Sequence, residues 1–455
     1  MDAAAIDPAA ADLSPDAAAA WANTVFGFLA HDRQTATYIG ATLQAAPDFA
    51  MGHAVKGLML LLLGRSELVA PARSALAEAR AARGRAGQPG PERTAMMIEA
   101  LERYLEGDLK GAAVRIADWL RRAPHDVLAL KLDHAIRFVL GDRRGMVAMS
   151  QHALPAQDAT HPLYGYVLGC HSFSLEENGH YVEAEAHGRA ALELAPDDAW
   201  GLHAVAHVYD MTARGAAGLR FLETHEAAWA HCNNFGAHVW WHLALFHLDL
   251  GAYDRVMELY DGRIRAEYTD DYRDISNGAS MLTRLEIEGV DVGDRWEELA
   301  ALAENRVEPG CVVFADLHYH LALEAAGKRG AADAMLNRLA ADAASCDHDM
   351  HEVAAVAGLP AARGLTAFRA GCYRDAFDSL RAVRADLQKV GGSHAQRDVF
   401  SRVMIEAAIR AGRYDEAEAE LAGRTTRRGG EDGFTARRRT AIARARDTLS
   451  GVAVA

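Results

Sequence analysis

Residues 181–196 read Tyr-Val-Glu-Ala-Glu-Ala-His-Gly-Arg-Ala-Ala-Leu-Glu-Leu-Ala-Pro, and the preceding run, residues 164–178, places apolar side chains at helical spacing. Gly179 separates the two runs at the point where one helix must stop and the chain must reverse. Ala184 and Ala191 are small enough to let two helices approach closely, and the closing proline ends the second helix. This pattern is typical of a tetratricopeptide helix pair, which repeats about every 34 residues.

The same pattern recurs along the chain. Gly251, Gly371 and Gly412 each stand two residues before a tyrosine, where the second helix of a pair would begin. Roughly nine to eleven pairs fit the chain. We therefore predict an all-α protein, a right-handed α-solenoid of tetratricopeptide-like helix pairs, curled so that the first helices line a concave channel. Further predicted pairs cover residues 51–83, 127–152, 199–229, 278–305 and 314–343.

The predicted organisation has three parts. Residues 1–20 form an N-terminal extension, residues 21–423 the solenoid, and residues 424–455 a basic C-terminal segment or capping helix. Glycine and proline make residues 82–93 the clearest linker, and residues 427–433 form a second one. Because each pair in a solenoid buries its apolar face only against its neighbours, neither linker implies separate folding units.

The charge balance bears on the choice of partners. The chain has 48 basic and 63 acidic residues, which gives a formal net charge of −15. An acidic body repels phosphate backbones, so we do not expect nucleic acid as a main partner. Residues 424–455 are locally basic, with eight arginines against Glu431, Asp432 and Asp447. We expect this segment to dock on the acidic body.

Three features indicate a cytoplasmic protein that does not enter a membrane. The five cysteines are scattered and form no C-x-x-C pair, as in a reduced compartment. Residues 1–16 are acidic and alanine-rich, without the basic start and apolar run of a secretion signal. The longest apolar run, residues 58–63, is far too short to cross a bilayer.

Two histidine pairs stand out on predicted first helices. His203 and His207 form one i, i+4 pair, and His238 and His242 form another, so each pair projects from one helix face. These helices belong to consecutive pairs, whose first helices should run side by side about 10 Å apart. We therefore predict that the four imidazoles converge on one space. Asp210 follows three residues after His207 and continues that face.

The chemistry of these residue types leaves alternatives open. Neutral imidazoles are good ligands for zinc or a similar divalent metal, and they also serve as acids and bases near neutral pH. The H-E-x-x-H signature is absent, since Ala204 follows His203, which favours a metal-free site. If a metal is bound, its ligands are the four paired histidines. For any one histidine the alternative is a packing position, hydrogen-bonded within its own helix.

Other candidate residues would complete a site in the channel. An arginine can bind a carboxylate or phosphate through its planar fork, so Arg397 is predicted to anchor an acidic group of a ligand. Trp241 neighbours His242 and could wall a pocket, although core packing is the alternative. The full substrate-binding set comprises Arg397, Asp398, Gln396, His318, Trp241, His53 and His134.

These motifs resemble the tetratricopeptide repeat protein 38 family, over about residues 45–421. The resemblance implies the helical-repeat fold and leaves the biochemical activity open. Asp210 stands where the family often has Glu, and His394 where Asn is common. The resemblance implies that the family motifs include His53, His134, His203, His207, His238, His242, His318, Gln396, Arg397 and Asp398. The matching segments are Met51-Gly-His53-Ala, Leu128-Ala-Leu-Lys-Leu-Asp-His134, Asp198-Ala-Trp200, His203-x-x-Ala-His207, His238-x-x-Trp-His242-x-Ala-Leu, Tyr253, Ser280-Met-Leu and Gly391-Gly-Ser-His-Ala-Gln-Arg-Asp-Val-Phe400.

Two functional hypotheses follow. In the first, the protein binds or transforms a small acidic molecule as a lyase, isomerase or hydrolase, and a histidine shuttles a proton while Asp210 or Asp398 orients it. Its catalytic set is His203, His207, Asp210, His238 and His242. In the second, the protein is a scaffold that binds a peptide or partner helix in an open groove. Self-association as a homo-oligomer through terminal pairs is compatible with either hypothesis.

Overall fold

The computed structural model describes residues 2–85, 91–308 and 310–452, with side chains up to residue 448. Within these ranges the protein is helical, and the only β-type contact is an isolated bridge between Asp32 and Cys232. The predicted all-α fold is confirmed.

The α-helices are α1 Ala3–Ile6, α2 Pro15–Ala30, α3 Thr35–Ala45, α4 Ala50–Leu62, α5 Val69–Arg85, α6 Glu92–Leu105, α7 Leu109–Leu120, α8 Val127–Val139, α9 Arg143–Ala153, α10 Tyr164–Glu177, α11 Tyr181–Leu194, α12 Ala199–Met211, α13 Gly215–Thr224, α14 Phe235–Asp249, α15 Tyr253–Leu259, α16 Tyr272–Ile287, α17 Arg295–Glu304, α18 Val313–Ala325, α19 Arg329–Ala343, α20 Asp349–Val353, α21 Leu359–Arg369, α22 Tyr373–Val383, α23 His394–Arg410, α24 Tyr414–Arg428 and α25 Gly433–Val452.

Consecutive helices pack as pairs, for example α4 with α5, α10 with α11 and α21 with α22. The first helices of successive pairs also contact one another, so that α10, α12, α14, α16 and α18 form a continuous inner row. The turn inside each pair follows the predicted glycine. Gly179, Gly251, Gly371 and Gly412 have φ values of 84°, 76°, 76° and 72°, a left-handed conformation that glycine adopts without strain.

Both predicted linkers are shorter than the sequence pattern indicated. Helix α5 continues to Arg85 and α6 begins at Glu92, so both ends of the 82–93 segment are helical. Gly87, Pro89 and Gly90 lie outside the described residues. The second linker is also partly helical, because α24 runs to Arg428 and α25 begins four residues after Gly429.

The chain curls back on itself, and helix α23 occupies the inner side of the curve. Helix α23 packs against α12 and α16, which are far from it in the sequence. The backbone N–H of His394 donates to Oε1 of Glu177 at 2.7 Å, and the side chain of Gln388 donates to the carbonyl of Gly141 at 3.0 Å. Every residue of α12 except Asp210 is buried. The inner row is therefore covered by the chain's own helices.

The basic C-terminal segment lies against carboxylates of the body. Arg437 pairs with Glu288 at 2.8 Å, and Arg438 pairs with Glu406 at 2.9 Å. These contacts join the last helix to α16 and α23. None of the helices in the described ranges combines the length and the apolar character that crossing a bilayer requires.

Candidate metal centre

The two histidine pairs meet in the interior, as predicted. Helix α12 supplies His203 and His207, and helix α14 supplies His238 and His242. The Nε2 atom of His203 lies 2.9 Å from Nε2 of His207 and 3.0 Å from Nε2 of His238. Nε2 of His242 lies 3.3 Å from Nε2 of His238. Four imidazoles from two neighbouring first helices thus point at one common centre, which we call the four-histidine centre.

The spacing of the ring nitrogens suits a metal ion. The four ligand atoms all lie within 4.8 Å of one another. Zinc–imidazole bonds of about 2.0–2.1 Å in a tetrahedron separate neighbouring nitrogen atoms by about 3.4 Å. The three measured contacts are within half an ångström of that edge, so only small ring movements would be needed.

The outer ring nitrogens of two histidines face hydrogen-bond acceptors. Nδ1 of His238 lies 3.0 Å from Oδ1 of Asn277. Nδ1 of His207 lies 3.5 Å from Oε2 of Glu176. Since the amide oxygen of Asn277 can only accept, Nδ1 of His238 carries the hydrogen. The lone pair on Nε2 of His238 then points at the centre, which is the tautomer that a metal ligand needs. Nδ1 of His207 faces the Glu176 carboxyl without a hydrogen bond in the described part of the chain.

Burial keeps the rings of His203, His238 and His242 neutral. His203 and His207 are 2% and 0% exposed, and His238 and His242 are 8% and 0% exposed. Burial, together with the neighbouring imidazoles, lowers the pKa of His203 and His242 well below the usual value. Burial also lowers the pKa of His238 to about 3. Neutral imidazole is the form that binds a metal, so these three rings could act as ligands at neutral pH without first losing a proton.

Aromatic rings wall the centre. The Trp241 ring stacks on His238 with centroids 5.3 Å apart, and the Phe173 ring stacks on His203 at 5.5 Å. The guanidinium of Arg284 lies 5.4 Å from the Trp241 ring and donates to the Ala395 carbonyl at 2.7 Å, which ties this wall to α23. Trp241 is a buried core residue and also stacks on a histidine of the centre. Core packing and a position in the wall of the site, the two alternatives given by the sequence, are therefore both observed.

Asp210 does not reach the four-histidine centre. Its carboxylate pairs with Arg428 at 3.3 Å, because it lies almost a full turn beyond His207, where α24 docks. The carboxylate beside the histidines is Glu176 of α10 instead. Burial raises the pKa of Glu176, and apart from the His207 contact neither of its oxygens has a hydrogen-bond partner in the described part of the chain. The carboxylate next to the histidines is therefore that of a glutamate from the preceding pair and not that of Asp210.

The three residues that open α23 are held by the protein itself. Gln396 forms a capping box with Ser393. Arg397 donates to Oε2 of Glu177 at 3.0 Å. Asp398 accepts from Arg402 at 2.7 Å and also pairs with Arg424. The structure therefore does not bring these residues to the four-histidine centre.

The three remaining predicted histidines have partners of their own. Nε2 of His53 lies 2.8 Å from the Pro47 carbonyl, and Nδ1 of His318 lies 2.8 Å from the Phe314 carbonyl. His134 contacts Ser174 at 3.4 Å, and burial lowers its pKa to about 3. None of the three is part of the four-histidine centre. The packing alternative, with a hydrogen bond inside the histidine's own helix, describes His318, whereas His53 contacts a residue before its helix and His134 contacts α10.

Sequence reasoning missed Glu176 and Asn277, the two outer partners of the histidines. They lie on α10 and α16, the first helices on either side of the histidine-bearing ones. A search of neighbouring first helices for polar residues could have found them. It also missed Lys131, which is buried with its Nζ 3.2 Å from Nε2 of His31 and 4.7 Å from the Trp200 ring.

Comparison with known proteins adds little to this geometry. No protein-family model matches the chain. Among solved structures, a human IFIT1 dimer with PPP-AAAA is similar at a TM-score of 0.42 and 14% sequence identity. That match covers 95% of this chain and 96% of the other. At this level of similarity no ligand or residue role carries over.

Proposed function

We propose that this helical-repeat protein binds one divalent transition-metal ion through the Nε2 atoms of His203, His207, His238 and His242. The convergence of these atoms on one buried point supports the proposal. Nε2 of His203 lies 2.9 and 3.0 Å from two other ring nitrogens, and it can donate a hydrogen to only one of them. A metal ion would instead accept all four lone pairs at once.

Charge and ligand type favour zinc. Four neutral imidazoles leave the charge of a dication uncompensated, and the otherwise unpartnered carboxylate of Glu176 would offset part of it through His207. A carboxylate behind a metal-bound histidine fixes the ring and makes it a stronger ligand. Imidazole also suits copper and nickel, which bind nitrogen sites in the order of the Irving–Williams series. A closed tetrahedral set is the geometry of zinc.

The proposed ion would clamp two consecutive helix pairs together. Helices α12 and α14 each supply two ligands, so metal binding would add directly to the stability of the folded inner row. We also propose that the chain is related to the tetratricopeptide repeat protein 38 family, whose motifs its sequence resembles.

Acid–base chemistry on a small acidic molecule is the second candidate function. The Glu176–His207 contact favours it, because a buried carboxyl with a raised pKa beside an imidazole is a common acid–base arrangement. In this candidate, histidines of the centre move the proton and Glu176 takes the part expected of Asp210. A peptide groove has less support, since the chain's own helix α23 covers the inner row.

Metal content tests the main proposal. The protein is purified without added metal, stripped with a chelator, and titrated with zinc against a chromophoric competitor. We expect about one ion per chain, and cobalt substitution should give the intense visible bands of a tetrahedral site. The variants His203→Ala and His242→Ala should lose the ion, whereas His53→Ala should keep it, since His53 contacts Pro47.

Circular dichroism of each variant shows whether helix content is retained. A wild-type protein that binds no zinc, copper or nickel in competition with the indicator would overturn the proposal. Equal binding by His203→Ala and wild type in well-folded samples would overturn it as well.

A further inference from the structure

A second, separate cavity lies near the C-terminal end of the solenoid. Its volume is about 360 Å³, within the range of small-molecule pockets. It lies between the start of α9, the segment that follows α22, and helices α23 and α24. We call it the arginine cavity, because its lining includes Arg143, Arg384, Arg397, Arg424, Arg427 and Arg428.

Four of these arginines already have carboxylate partners. Arg397 pairs with Glu177, and Arg384 pairs with Glu420. Arg424 pairs with Asp398 and Asp432, and Arg428 pairs with Asp210. Asp398 and Glu420 are the carboxylates that line the cavity itself.

Two arginines have no carboxylate partner within the described ranges. Arg143 donates to the main-chain carbonyl of Glu177 at 3.2 Å, and Arg427 takes part in no ion pair. Arg427 is an exposed residue, and the partial desolvation of its guanidinium, together with the charges of Arg424 and Arg384, lowers its pKa. The cavity thus holds an excess of positive charge that no described carboxylate neutralises.

Part of the remaining wall is apolar and is formed by Met211, Leu387, Met404 and Ile405. The lining also includes three uncharged or titratable polar residues, which are Gln388, His394 and Ser401. An ion with no apolar part would leave this surface in contact with water, whereas a ligand with an acidic head and a short apolar body would cover it. A guanidinium binds carboxylate and phosphate oxygens through two parallel hydrogen bonds.

We propose that the arginine cavity binds a small organic oxyanion, with its acidic group held by Arg143 and Arg427 and its apolar part on Met211, Leu387, Met404 and Ile405. Arg397 and Asp398, which the sequence analysis gave as ligand-binding candidates, line this cavity, whereas Arg143 and Arg427 were not among those candidates. The proposal does not depend on a metal at the four-histidine centre.

The arginine cavity lies close to the four-histidine centre along α10. Arg397 lines the cavity and pairs with Glu177 at 3.0 Å, and the adjacent Glu176 faces His207 at 3.5 Å. Although burial opposes it, the charges of His394 and Arg397 hold the pKa of Glu177 at about 2. An anion in the cavity would therefore be separated from His207 by Arg397 and by the adjacent residues Glu176 and Glu177. The negative charge of Glu177 would lie between the anion and the four-histidine centre.

Isothermal titration calorimetry of the full chain at low ionic strength tests the proposal. The probes are hexyl phosphate, hexanoate, inorganic phosphate and the neutral hexanol. We expect hexyl phosphate and hexanoate to bind, inorganic phosphate to bind at least tenfold more weakly, and hexanol not to bind. Whichever of the two acids binds more tightly identifies the acidic group that the cavity prefers.

Variants separate the cavity from general surface charge. Arg427→Gln and Arg143→Gln should each weaken binding about tenfold. Arg144→Gln is the matched control, because Arg144 is the exposed neighbour of Arg143 and does not line the cavity. Binding by His203→Ala should equal wild type, so failure of the metal proposal would leave this one intact.

Three outcomes would overturn the proposal. They are no binding of either organic acid at millimolar concentration, equal binding of hexyl phosphate and inorganic phosphate, and equal effects of Arg143→Gln and Arg144→Gln.

Discussion

The four-histidine centre and the arginine network around Arg424 are both polar clusters inside the helical stack, and they differ in how their groups are partnered. In the arginine network, Arg424 lies between Asp398 and Asp432, with its Nη2 2.7 Å from Oδ2 of Asp432. In the four-histidine centre, like groups face one another, and among the described residues Glu176 has no partner other than His207. We call the first cluster complete, because both carboxylates pair with Arg424, whereas the second has only like groups at its centre.

The electrostatics of the two clusters follow this difference. Although burial opposes it, Arg424 and Arg402 hold the pKa of Asp398 well below its usual range, so its charge is stabilised where it is. Burial instead raises the pKa of Glu176 and lowers that of His238 to about 3, so charge is disfavoured there. A polar cluster that disfavours its own charges is the better candidate for a functional site.

The largest effect is expected from breaking the complete cluster. Arg424→Leu leaves Asp432, which is 4% exposed, without its closest partner. We expect a loss of about 3–5 kcal/mol in the free energy of unfolding, measured by urea denaturation, because removing one member of a buried pair strands the other charge.

The control for Arg424→Leu is Arg80→Ala, which breaks the exposed pair with Glu102 and should cost about 0–1 kcal/mol. Metal content should be unchanged in both variants. A loss below 1 kcal/mol for Arg424→Leu would mean that the complete cluster is not structural.

Zinc binding at the four-histidine centre should have the next largest effect. At a free zinc concentration about 100 times the dissociation constant, the wild-type protein should gain about 2.7 kcal/mol in the free energy of unfolding. The variant His242→Ala should gain much less, because one of the four ligands is gone. Equal gains in the two proteins would show that zinc binds elsewhere.

A smaller effect is expected from the carboxylate behind the centre. Glu176→Gln keeps an oxygen that can accept from Nδ1 of His207 but removes the negative charge. We expect zinc affinity to fall about 10–100-fold, measured by indicator competition, as for other partners of metal-bound histidines. Glu193→Gln, an exposed change on α11, should leave the affinity unchanged. If both variants bind like wild type, Glu176 does not support the metal.

The two clusters also show which parts of the structure the sequence could predict. Convergence of the four imidazoles follows from i, i+4 spacing and from the parallel stacking of consecutive pairs, both of which are local or periodic. The turns at Gly179 and Gly251 are likewise determined by nearby residues. These predictions therefore rest on short-range rules and are confirmed.

The remaining contacts depend on the curl of the whole chain. The partner of Asp210 is Arg428, 218 residues away, and the partner of Arg397 is Glu177, 220 residues away. No local pattern fixes such pairings, since they are decided by how many helix pairs complete the curve and where α23 enters it. The predicted roles of Asp210 and Arg397 at the histidines could not be checked without that geometry.

The smallest expected effect is a pH dependence of the free energy of unfolding that arises from the buried ring of His238. In metal-free protein, the pKa of His238 is about 3 when folded and about 6.5 when unfolded, so the unfolded state binds more protons between these values. Stability from this residue is therefore lost as the pH falls below 6.5. Between pH 6.5 and 5.5 the loss in the free energy of unfolding should be about 1 kcal/mol for one histidine.

The variant His238→Phe tests this expectation by urea denaturation with chelator present. Its free energy of unfolding should depend on pH less than that of the wild type, by the contribution of this one histidine. Identical pH profiles for the variant and the wild type would show that His238 is not buried as a neutral ring, and the case for a ready-made metal ligand would fail with it.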